Sequence, residues 1–465
     1  MKMISHSTPA LVLASLLLAA SACTTGAPTN TAQPSTPNVA NTTPAPAASA
    51  TPAAGTNTSA SNNAASLPVT LPVLDAMFAD EAFAGELKSK LQLSNEQVAR
   101  LKQVAREGTA GLSEQGAESG TTTEATRRAA EKIKEVVGEE KASAFTTLVR
   151  ERWSGGEDAL AAKPNAVPTD TRIVVNAPAY RMDVFQGGRL TKTYRVGIGY
   201  PEFPLPQGMR KADTIIFNPT WTPPDEPWVK GKVKPGEKIE AGSKLNPLGP
   251  IKIPIGLPSL IHGGKNPARL GNFASHGCVG LTNEMVQDFA VLLAQTSGTQ
   301  LTPEDVTNYA KKPDKTQNVK LSAPVPVELR YETIVVEDGR LHVYRDVYDK
   351  GTNTEENLRR VLEVYGVKLE DLSEQERAQA SQALEAMAHD AHGNPTNDAS
   401  PTPTPKQKEK NKSGAVTYTV KGQKELVVEI AALRGKGYPA PVNLMPPAPQ
   451  PKQPATATPK AKGKK

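Results

Sequence analysis

The first periodic pattern in the chain places apolar residues three and four positions apart, at Val98, Leu101, Val104 and Ala105. This spacing predicts an amphipathic helix. The preceding Ser94-Asn95-Glu96-Gln97 predicts a capping box, in which the first and last side chains each bond the other's backbone. A second helical pattern runs over 123–153 and is interrupted by Gly138. We therefore expect a small α-helical domain at residues 67–160.

The pattern changes after Arg172, where short runs rich in β-branched and aromatic residues alternate with turns. The predicted strands are Ile173–Val175, Arg181–Phe185, Lys192–Val196, Thr214–Phe217, Ile251–Ile253, Ser259–Ile261, Val325–Glu328, Tyr331–Val336 and Leu341–Tyr344. One helix is expected at Thr282–Gln295, where apolar residues form a stripe. Many short strands with few helices predict a mainly β domain, a sandwich or barrel-like unit, at residues 171–348.

The remaining C-terminal sequence combines helical, extended and low-complexity patterns. Helices are predicted at Thr354–Tyr365 and Ser373–His389, and two short β-rich runs lie at Val416–Val420 and Leu426–Ile430. We divide the region into a helical segment (352–393), a linker (394–414), a small β hairpin (415–440) and a basic disordered tail (441–465).

The N-terminus has the pattern of an export signal. Lys2 precedes an apolar run that is too short to span a bilayer and ends in Ala20-Ser21-Ala22-Cys23. We expect a signal peptide at residues 1–22. An ordinary cleavage site after small residues is one interpretation, and a lipobox in which Cys23 receives lipid is the preferred one. Residues 23–66 then form a lipid-anchored disordered tether, and the protein is expected in the periplasm or cell envelope.

Composition agrees with compact units joined by tethers. The 465 residues include 41 prolines, only 5% aromatic residues and a formal charge of +6, much of it in the C-terminal tail. No nucleic-acid motif accompanies the charge, so a nucleic-acid partner is not predicted. The chain has two cysteines, Cys23 and Cys278, in unrelated contexts, which argues against a disulfide framework.

The segment Ser275-His276-Gly277-Cys278 carries the candidate chemistry. A cysteine nucleophile acts as the thiolate, which a nearby base or helix N-terminus favours. On an extended segment, the side chains of His276 and Cys278 share a face, and a helix is expected to begin near Thr282. Backbone amides around Gly277 and Cys278 are candidate oxyanion donors. A base, a nucleophile and donors together indicate acyl transfer through a thioester.

This segment, together with the upstream Ile261-His262-Gly263-Gly264, resembles the signature of the YkuD-type L,D-transpeptidases. Three further elements resemble that family in the same order along the chain: Leu205-Pro206-Gln207-Gly208, Asn218-Pro219-Thr220-Trp221-Thr222-Pro223-Pro224 and Asn246-Pro247-Leu248-Gly249. The resemblance covers about residues 172–348. It implies an L,D-transpeptidase-like β-sandwich with a helix after the catalytic cysteine.

The resemblance also implies a reaction and a set of site residues. Cys278 is the expected nucleophile and His276 the general base; His262 and Gly263 line the substrate site, and Ser275 and Gly277 shape the loop and oxyanion hole. The expected substrates are peptidoglycan stem peptides, with a wall-linked lipoprotein as an alternative acceptor and a membrane contact through the lipid anchor. No metal or organic cofactor is implied.

Two positions near the histidine and cysteine motifs depart from the family pattern. The family usually carries arginine or asparagine two residues after the cysteine, where this chain has Gly280, and Gly264 follows the first His-Gly in place of a common threonine. Lys265 and Arg269 are cations nearby in sequence and are the candidates to replace the arginine. The departure affects the choice of acceptor more than the identity of the nucleophile.

The sequence leaves several alternatives open. In one, Cys278 is a buried inert thiol; in another, His262, His276 and Cys278 bind zinc through three ligands. A third resolves the same thioester with water, as in an L,D-carboxypeptidase or amidase. A fourth is a catalytically degenerate wall-binding lipoprotein. Trp221 and Trp228 are equally compatible with the core and with the border of a substrate groove.

Overall fold

The computed structural model describes residues 68–154, 163–223, 229, 233–234, 236–256, 258–388 and 424–441. The predicted signal peptide, the tether with Cys23 and the 394–414 linker lie outside these residues. Trp228, the 416–420 run and all but the first residue of the 441–465 tail lie outside them as well.

Six helices occupy the first described segment: α1 (Leu71–Met77), α2 (Glu81–Leu91), α3 (Asn95–Ala110), α4 (Glu114–Ser119), α5 (Thr122–Val137) and α6 (Glu139–Ser154). The predicted capping box is present, since Ser94 Oγ accepts from the Gln97 amide at 3.2 Å and Gln97 Oε1 accepts from the Ser94 amide at 3.0 Å. Gly138 separates α5 from α6 because its φ of +82° lies outside the helical region. The predicted helical region before the β domain is confirmed.

The β domain contains strands β1 (Arg172–Asn176), β2 (Arg181–Gln186), β3 (Arg189–Arg195), β4 (Ile198–Gly199), β5 (Gly208–Phe217), β6 (Ile251–Pro254), β7 (Leu260–His262), β8 (Phe273–Ser275), β9 (Val279–Gly280) and β10 (Gln317–Arg330). Eight of them form one sheet in the order β3-β2-β1-β10-β5-β6-β7-β9, and β4 pairs with β8 beside it. The β1–β10, β7–β9 and β4–β8 pairs are parallel, and the other pairs are antiparallel.

Two helices follow β9, namely α7 (Asn283–Thr296) and α8 (Pro303–Ala310). Val286, Phe289, Ala290 and Leu293 of α7 are fully buried in the core of the β domain. The apolar stripe in the sequence is therefore the face that packs on the sheet. The prediction of a mainly β domain with a helix after Cys278 is confirmed.

Strand β10 is much longer than the predicted Val325–Glu328. Its first half is mostly exposed, with only Val319 and Leu321 packed on the core, so no continuous apolar run marked it, but it pairs with β5 from Gln317 onward. A register shift between Lys320 and Val325 separates the two halves. Pairing with a neighbouring strand, rather than the local pattern, extends this strand into the centre of the sheet.

The C-terminal described residues form a second, smaller sheet in the order β11-β12-β13, from β11 (Ile334–Glu337), β12 (Arg340–Tyr344) and β13 (Glu425–Val428). Helices α9 (Glu355–Val364) and α10 (Glu374–Met387) share an apolar core with it. The predicted 426–430 run thus contributes a strand that pairs with β12. Within the described part of the chain, every helix is too short or too polar to cross a lipid bilayer.

Candidate active site

Ser275 closes a tight turn between β8 and β9. Its Oγ accepts a hydrogen bond from the Cys278 amide at 3.0 Å and donates one to the Cys278 carbonyl at 2.5 Å. Between them, Gly277 has a φ of +87°, a conformation that favours glycine. The sequence-based assumption of an extended segment at His276–Cys278 is therefore wrong, because the serine bonds and the left-handed glycine bend the chain.

Two neighbouring segments hold the turn, one through a side-chain hydrogen bond and one through close backbone packing. Ser259 Oγ donates to the Gly277 carbonyl at 2.9 Å. On the other side, a Cβ atom on Gly199 would lie 2.0 Å from the Phe203 carbonyl oxygen and 3.2 Å from Gly277 Cα. Only glycine at position 199 permits this approach, so β4 and the turn pack backbone to backbone.

Cys278 carries a free thiol on a half-buried side chain. Burial raises the pKa of this thiol above its ordinary value of 9.0, while a backbone contact with Leu260 and the charge of Lys265 act in the opposite direction. The resting thiol is consequently protonated near neutral pH, and a nucleophilic thiolate needs a base to accept its proton.

His276 contacts two aromatic side chains that the sequence did not single out. The ring of Tyr200 contacts it edge-on at a centroid distance of 5.1 Å, and that of Phe203 does so at 4.7 Å. Both aromatic residues are buried in the loop after β4. No local signal marks them, because the contact joins segments that are far apart in the chain.

His262 ends β7 and is 4% exposed. Its Nδ1 lies 2.7 Å from the Gly263 carbonyl, to which it donates. Burial and the nearby Lys265 charge lower the pKa of His262 to about 3, despite opposing carbonyl contacts. The imidazole is thus neutral near pH 7 and lies beneath the surface, beside Gly280 on β9. The Gly263 amide bonds the Ile251 carbonyl at 3.1 Å.

Two of the family-like elements, 218–224 and 246–249, meet next to the His262-Gly263-Gly264 segment. Asn246 Nδ2 donates to the Pro219 carbonyl at 2.7 Å, which joins the two elements. A Cβ atom on Gly249 would lie 2.4 Å from the Gly264 amide, so the 246–249 element packs directly against the His262-Gly263-Gly264 segment. Distant glycines and asparagines therefore build one continuous backbone framework behind the turn.

Lys265 fills the space above Gly280. A Cβ atom on Gly280 would lie 2.7 Å from Cγ and 2.8 Å from Cε of Lys265. The Lys265 amide donates to the Leu281 carbonyl at 3.0 Å, which fixes the start of this side chain. Its charge lowers the pKa of Cys278 and of His262. The cation next to the turn thus comes from the segment after β7.

Arg269, the other nearby cation in the sequence, points elsewhere. It forms a bidentate pair with Glu118 of α4 at 3.2 and 3.3 Å and donates to the Tyr200 hydroxyl at 3.0 Å.

Trp221 is half-buried and pairs with Ile239 through two backbone hydrogen bonds. Among the described residues, no three His, Cys, Asp or Glu side chains lie close enough together to hold a metal ion.

Comparison with known proteins identifies the β domain. The family model for the YkuD L,D-transpeptidase catalytic domain matches residues 170–315. The central strand β10 begins just beyond this match and completes the sheet. A search of curated proteins found no match.

Several solved structures are similar to part of the chain. The NMR structure of the catalytic domain of an Enterococcus faecium L,D-transpeptidase has 15% identity and a TM-score of 0.24, covering 36% of this chain and 100% of that chain. An L,D-transpeptidase from Mycobacterium smegmatis has 15% identity and a TM-score of 0.20, with 35% of this chain and 58% of that chain covered. L,D-transpeptidase 3 from Mycobacterium tuberculosis, with a faropenem-derived adduct, has 15% identity and a TM-score of 0.20, with 34% and 60% covered. The chain thus spans less than two thirds of the latter two structures.

The family match covers the turn at Cys278, His262, His276 and the three family-like elements at 205–208, 218–224 and 246–249. Residues 170–315 of this chain are an L,D-transpeptidase catalytic domain of the YkuD family.

Proposed function

We propose that the protein is a peptidoglycan L,D-transpeptidase in which Cys278 is the nucleophile and His276 the general base. The observation that carries the proposal is the turn closed by Ser275, which presents a free thiol inside a YkuD catalytic domain. The raised pKa of the thiol supports a role for a neighbouring base.

In the proposed reaction, His276 accepts the proton of the Cys278 thiol as sulfur attacks the carbonyl of the third, diamino-acid residue of a tetrapeptide stem. The tetrahedral intermediate collapses to a thioester, and the protonated histidine returns the proton to the amine of the departing D-alanine. An amine of another stem then attacks the thioester and gives a 3-3 cross-link, or an amine of a wall protein does so. The thiol is regenerated in the same step.

We assign the oxyanion contact to the Gly277 amide. The Cys278 amide, an equal candidate from sequence, is engaged by Ser275 Oγ at 3.0 Å. One such donor contributes about 2.7–4 kcal/mol in other acyl-transfer enzymes. Ser275 then acts by shaping the loop, and His262 and Gly263 act from beneath it, which is consistent with their burial and their use in backbone bonds.

Purified tetrapeptide muropeptides test this function. Incubation with the protein should give 3-3 dimers with loss of alanine, which mass spectrometry detects. The Cys278→Ala variant should give neither product. Tripeptide without dimers would instead favour the carboxypeptidase alternative. If neither product forms and carbapenems give no covalent adduct on Cys278, both enzyme functions are excluded. The degenerate wall-binding protein would then be the remaining alternative.

We also propose that the protein acts in the cell envelope, anchored by lipid on Cys23 and separated from the membrane by the 23–66 tether. The support is the apolar run before Ala20-Ser21-Ala22-Cys23 and the low-complexity composition that follows it. Metabolic labelling with a fatty acid should mark the wild-type protein and leave Cys23→Ser unlabelled. Label retained on that variant would exclude Cys23 as the anchor.

A further inference from the structure

The loop Tyr200–Phe203, between β4 and β5, has one side in the candidate active site. The Phe203 amide donates to the Tyr200 carbonyl at 2.8 Å and closes the loop on itself. The Tyr200 amide donates to the Ser275 carbonyl at 2.9 Å, and the Tyr200 and Phe203 rings contact His276 edge-on. A shift of this loop therefore moves the surroundings of the imidazole.

The other side of the same loop is bonded by the helical domain. Thr70 Oγ1 donates to the Glu202 carbonyl at 2.7 Å, and Thr122 Oγ1 donates to the Pro201 carbonyl at 2.9 Å. Both threonines are fully buried. Thr70 is also the N-cap of α1, and Thr122 begins α5. Two helix starts are thus tied to consecutive carbonyls of the loop.

A buried charge strengthens the connection. The Glu202 side chain is 4% exposed and forms an ion pair with Arg128 of α5. Burial raises the pKa of Glu202, and the Arg128 charge opposes that shift. A Cβ atom on Gly120 would lie 3.1 Å from Glu202 Oε1, so the chain before α5 approaches the carboxylate closely. Removing Arg128 would leave a buried carboxylate without its cation, which is costly.

Helix α4 also contacts the Tyr200–Phe203 loop, through Arg269 and through the apolar core. Arg269 links the Tyr200 hydroxyl to Glu118, as described above, and Ala117 is 1% exposed within the apolar core that contains Tyr200 and Phe203. The helical domain consequently contacts the backbone and the carboxylate of this short loop directly, and it reaches the Tyr200 hydroxyl through Arg269. On its other side, this loop contacts the candidate base.

We propose that the helical domain positions His276 through the Tyr200–Phe203 loop, with Arg128 and Glu202 as positioning residues. This inference rests on the proposed role of His276 as the base. The helices act on the reaction without touching substrate, because they hold the two rings that orient the imidazole beside the catalytic turn. Misplacement of a reacting group by about 1 Å costs on the order of a hundredfold in rate.

The test uses the full chain with Arg128→Met, its conservative counterpart Arg128→Lys, and Arg152→Met as a matched control. Arg152 is a partly buried arginine of the same helical domain that pairs with Asp80 and Glu86. One readout is the NMR signal of the His276 Cε1 proton, assigned by its loss in His276→Gln. The second is the acylation rate of Cys278 by a carbapenem, and the third is the melting temperature.

Arg128→Met should move the His276 signal, because the ring currents of Tyr200 and Phe203 act on it, and should slow acylation by about tenfold or more. Arg128→Lys should recover most of both effects. Arg152→Met should lower the melting temperature but leave the His276 signal and the acylation rate near wild type. A purely structural role of Arg128 would give the Arg152→Met result.

Two outcomes overturn the inference and one overturns the function beneath it. An unchanged His276 signal in Arg128→Met would show that the helices do not set the imidazole environment. A changed signal with wild-type acylation would show that this environment does not matter for the reaction. If His276→Gln is acylated as fast as wild type, the role of the base in the proposed function fails, independently of the Arg128 results.

Discussion

The side chain of Lys265 lies against the α carbon of Gly280, so that no larger residue fits at position 280 without moving it. Gly280 stands where the resemblance to the YkuD-type family leads us to expect arginine or asparagine. The lysine reaches the space above that position from the segment after β7, and its charge lowers the pKa of Cys278. The Lys265 side chain can therefore occupy this space only because residue 280 has no side chain.

Replacing Lys265 with methionine should raise the pKa of the Cys278 thiol, because the stem is kept and the charge is removed. The pH profile of alkylation by iodoacetamide should move to higher pH, with severalfold slower alkylation at pH 7. Lys265→Arg is the matched control and should keep the wild-type profile. Identical profiles for the methionine and arginine variants would contradict the role of the charge.

Gly277→Ala should introduce backbone strain into the catalytic turn, and its effect on Cys278 reactivity can be compared with the effect of an equal loss of stability elsewhere. Gly277 has a φ of +87° and its added Cβ would meet nothing closer than 3.9 Å, so the effect comes from the left-handed conformation. Such strain costs about 1–2 kcal/mol. Turnover of tetrapeptide or acylation by a carbapenem should fall together with the melting temperature.

Gly298→Ala provides the control for that substitution. Gly298 follows α7, has a φ of +74°, and its added Cβ would meet nothing within 4 Å. It should lower the free energy of unfolding by a similar amount while leaving Cys278 reactivity near wild type. Equal losses of reactivity in the two variants would mean that global stability, rather than the turn, limits the reaction.

His262 should make the protein sensitive to acid. Its folded-state pKa of about 3 lies below the ordinary value of 6.5, so between these values the unfolded chain binds more protons than the folded one. The free energy of unfolding should therefore fall as pH drops from about 6.5 toward 3, by at most about 1.4 kcal/mol per pH unit.

His262→Asn tests this, because its amide can still donate to the Gly263 carbonyl but does not titrate. Urea unfolding at several pH values should show a smaller acid loss in the variant than in wild type. Parallel curves would show that His262 is not the group responsible.

Asn218→Asp should destabilise the β domain. Asn218 Nδ2 donates to the carbonyls of Tyr309, Lys312 and Lys315 at 2.9–3.1 Å. A carboxylate there would face three acceptors, and a buried polar group left unsatisfied costs about 1–3 kcal/mol, more when charged. Asn218→Gly is the comparison, since it keeps the φ of +47° and loses only the bonds. Urea denaturation should rank wild type above Gly and Gly above Asp.

Much of this molecule follows from its sequence alone. Helical spacing located α3 and α7, and the Ser94 capping box formed as its residue types predict, because these features depend on neighbours within one or two turns. Alternation of apolar runs and turns identified most strands of the β domain. The ordered elements around Cys278 identified the family.

The tertiary structure decided the features that depend on distant contacts. Strand β10 is long because β5 pairs with it. The chain bends at Cys278 because Ser275 Oγ bonds both backbone groups of Cys278 and Gly277 has a positive φ. His276 contacts the Tyr200 and Phe203 rings, which come from another segment. The cation beside the thiol comes from Lys265 because Gly280 leaves room for it. The local sequence determines the helices, the strands and the chemistry of each residue. Which side chains share a site depends on the close packing of distant backbone segments and on the pairing of buried charges.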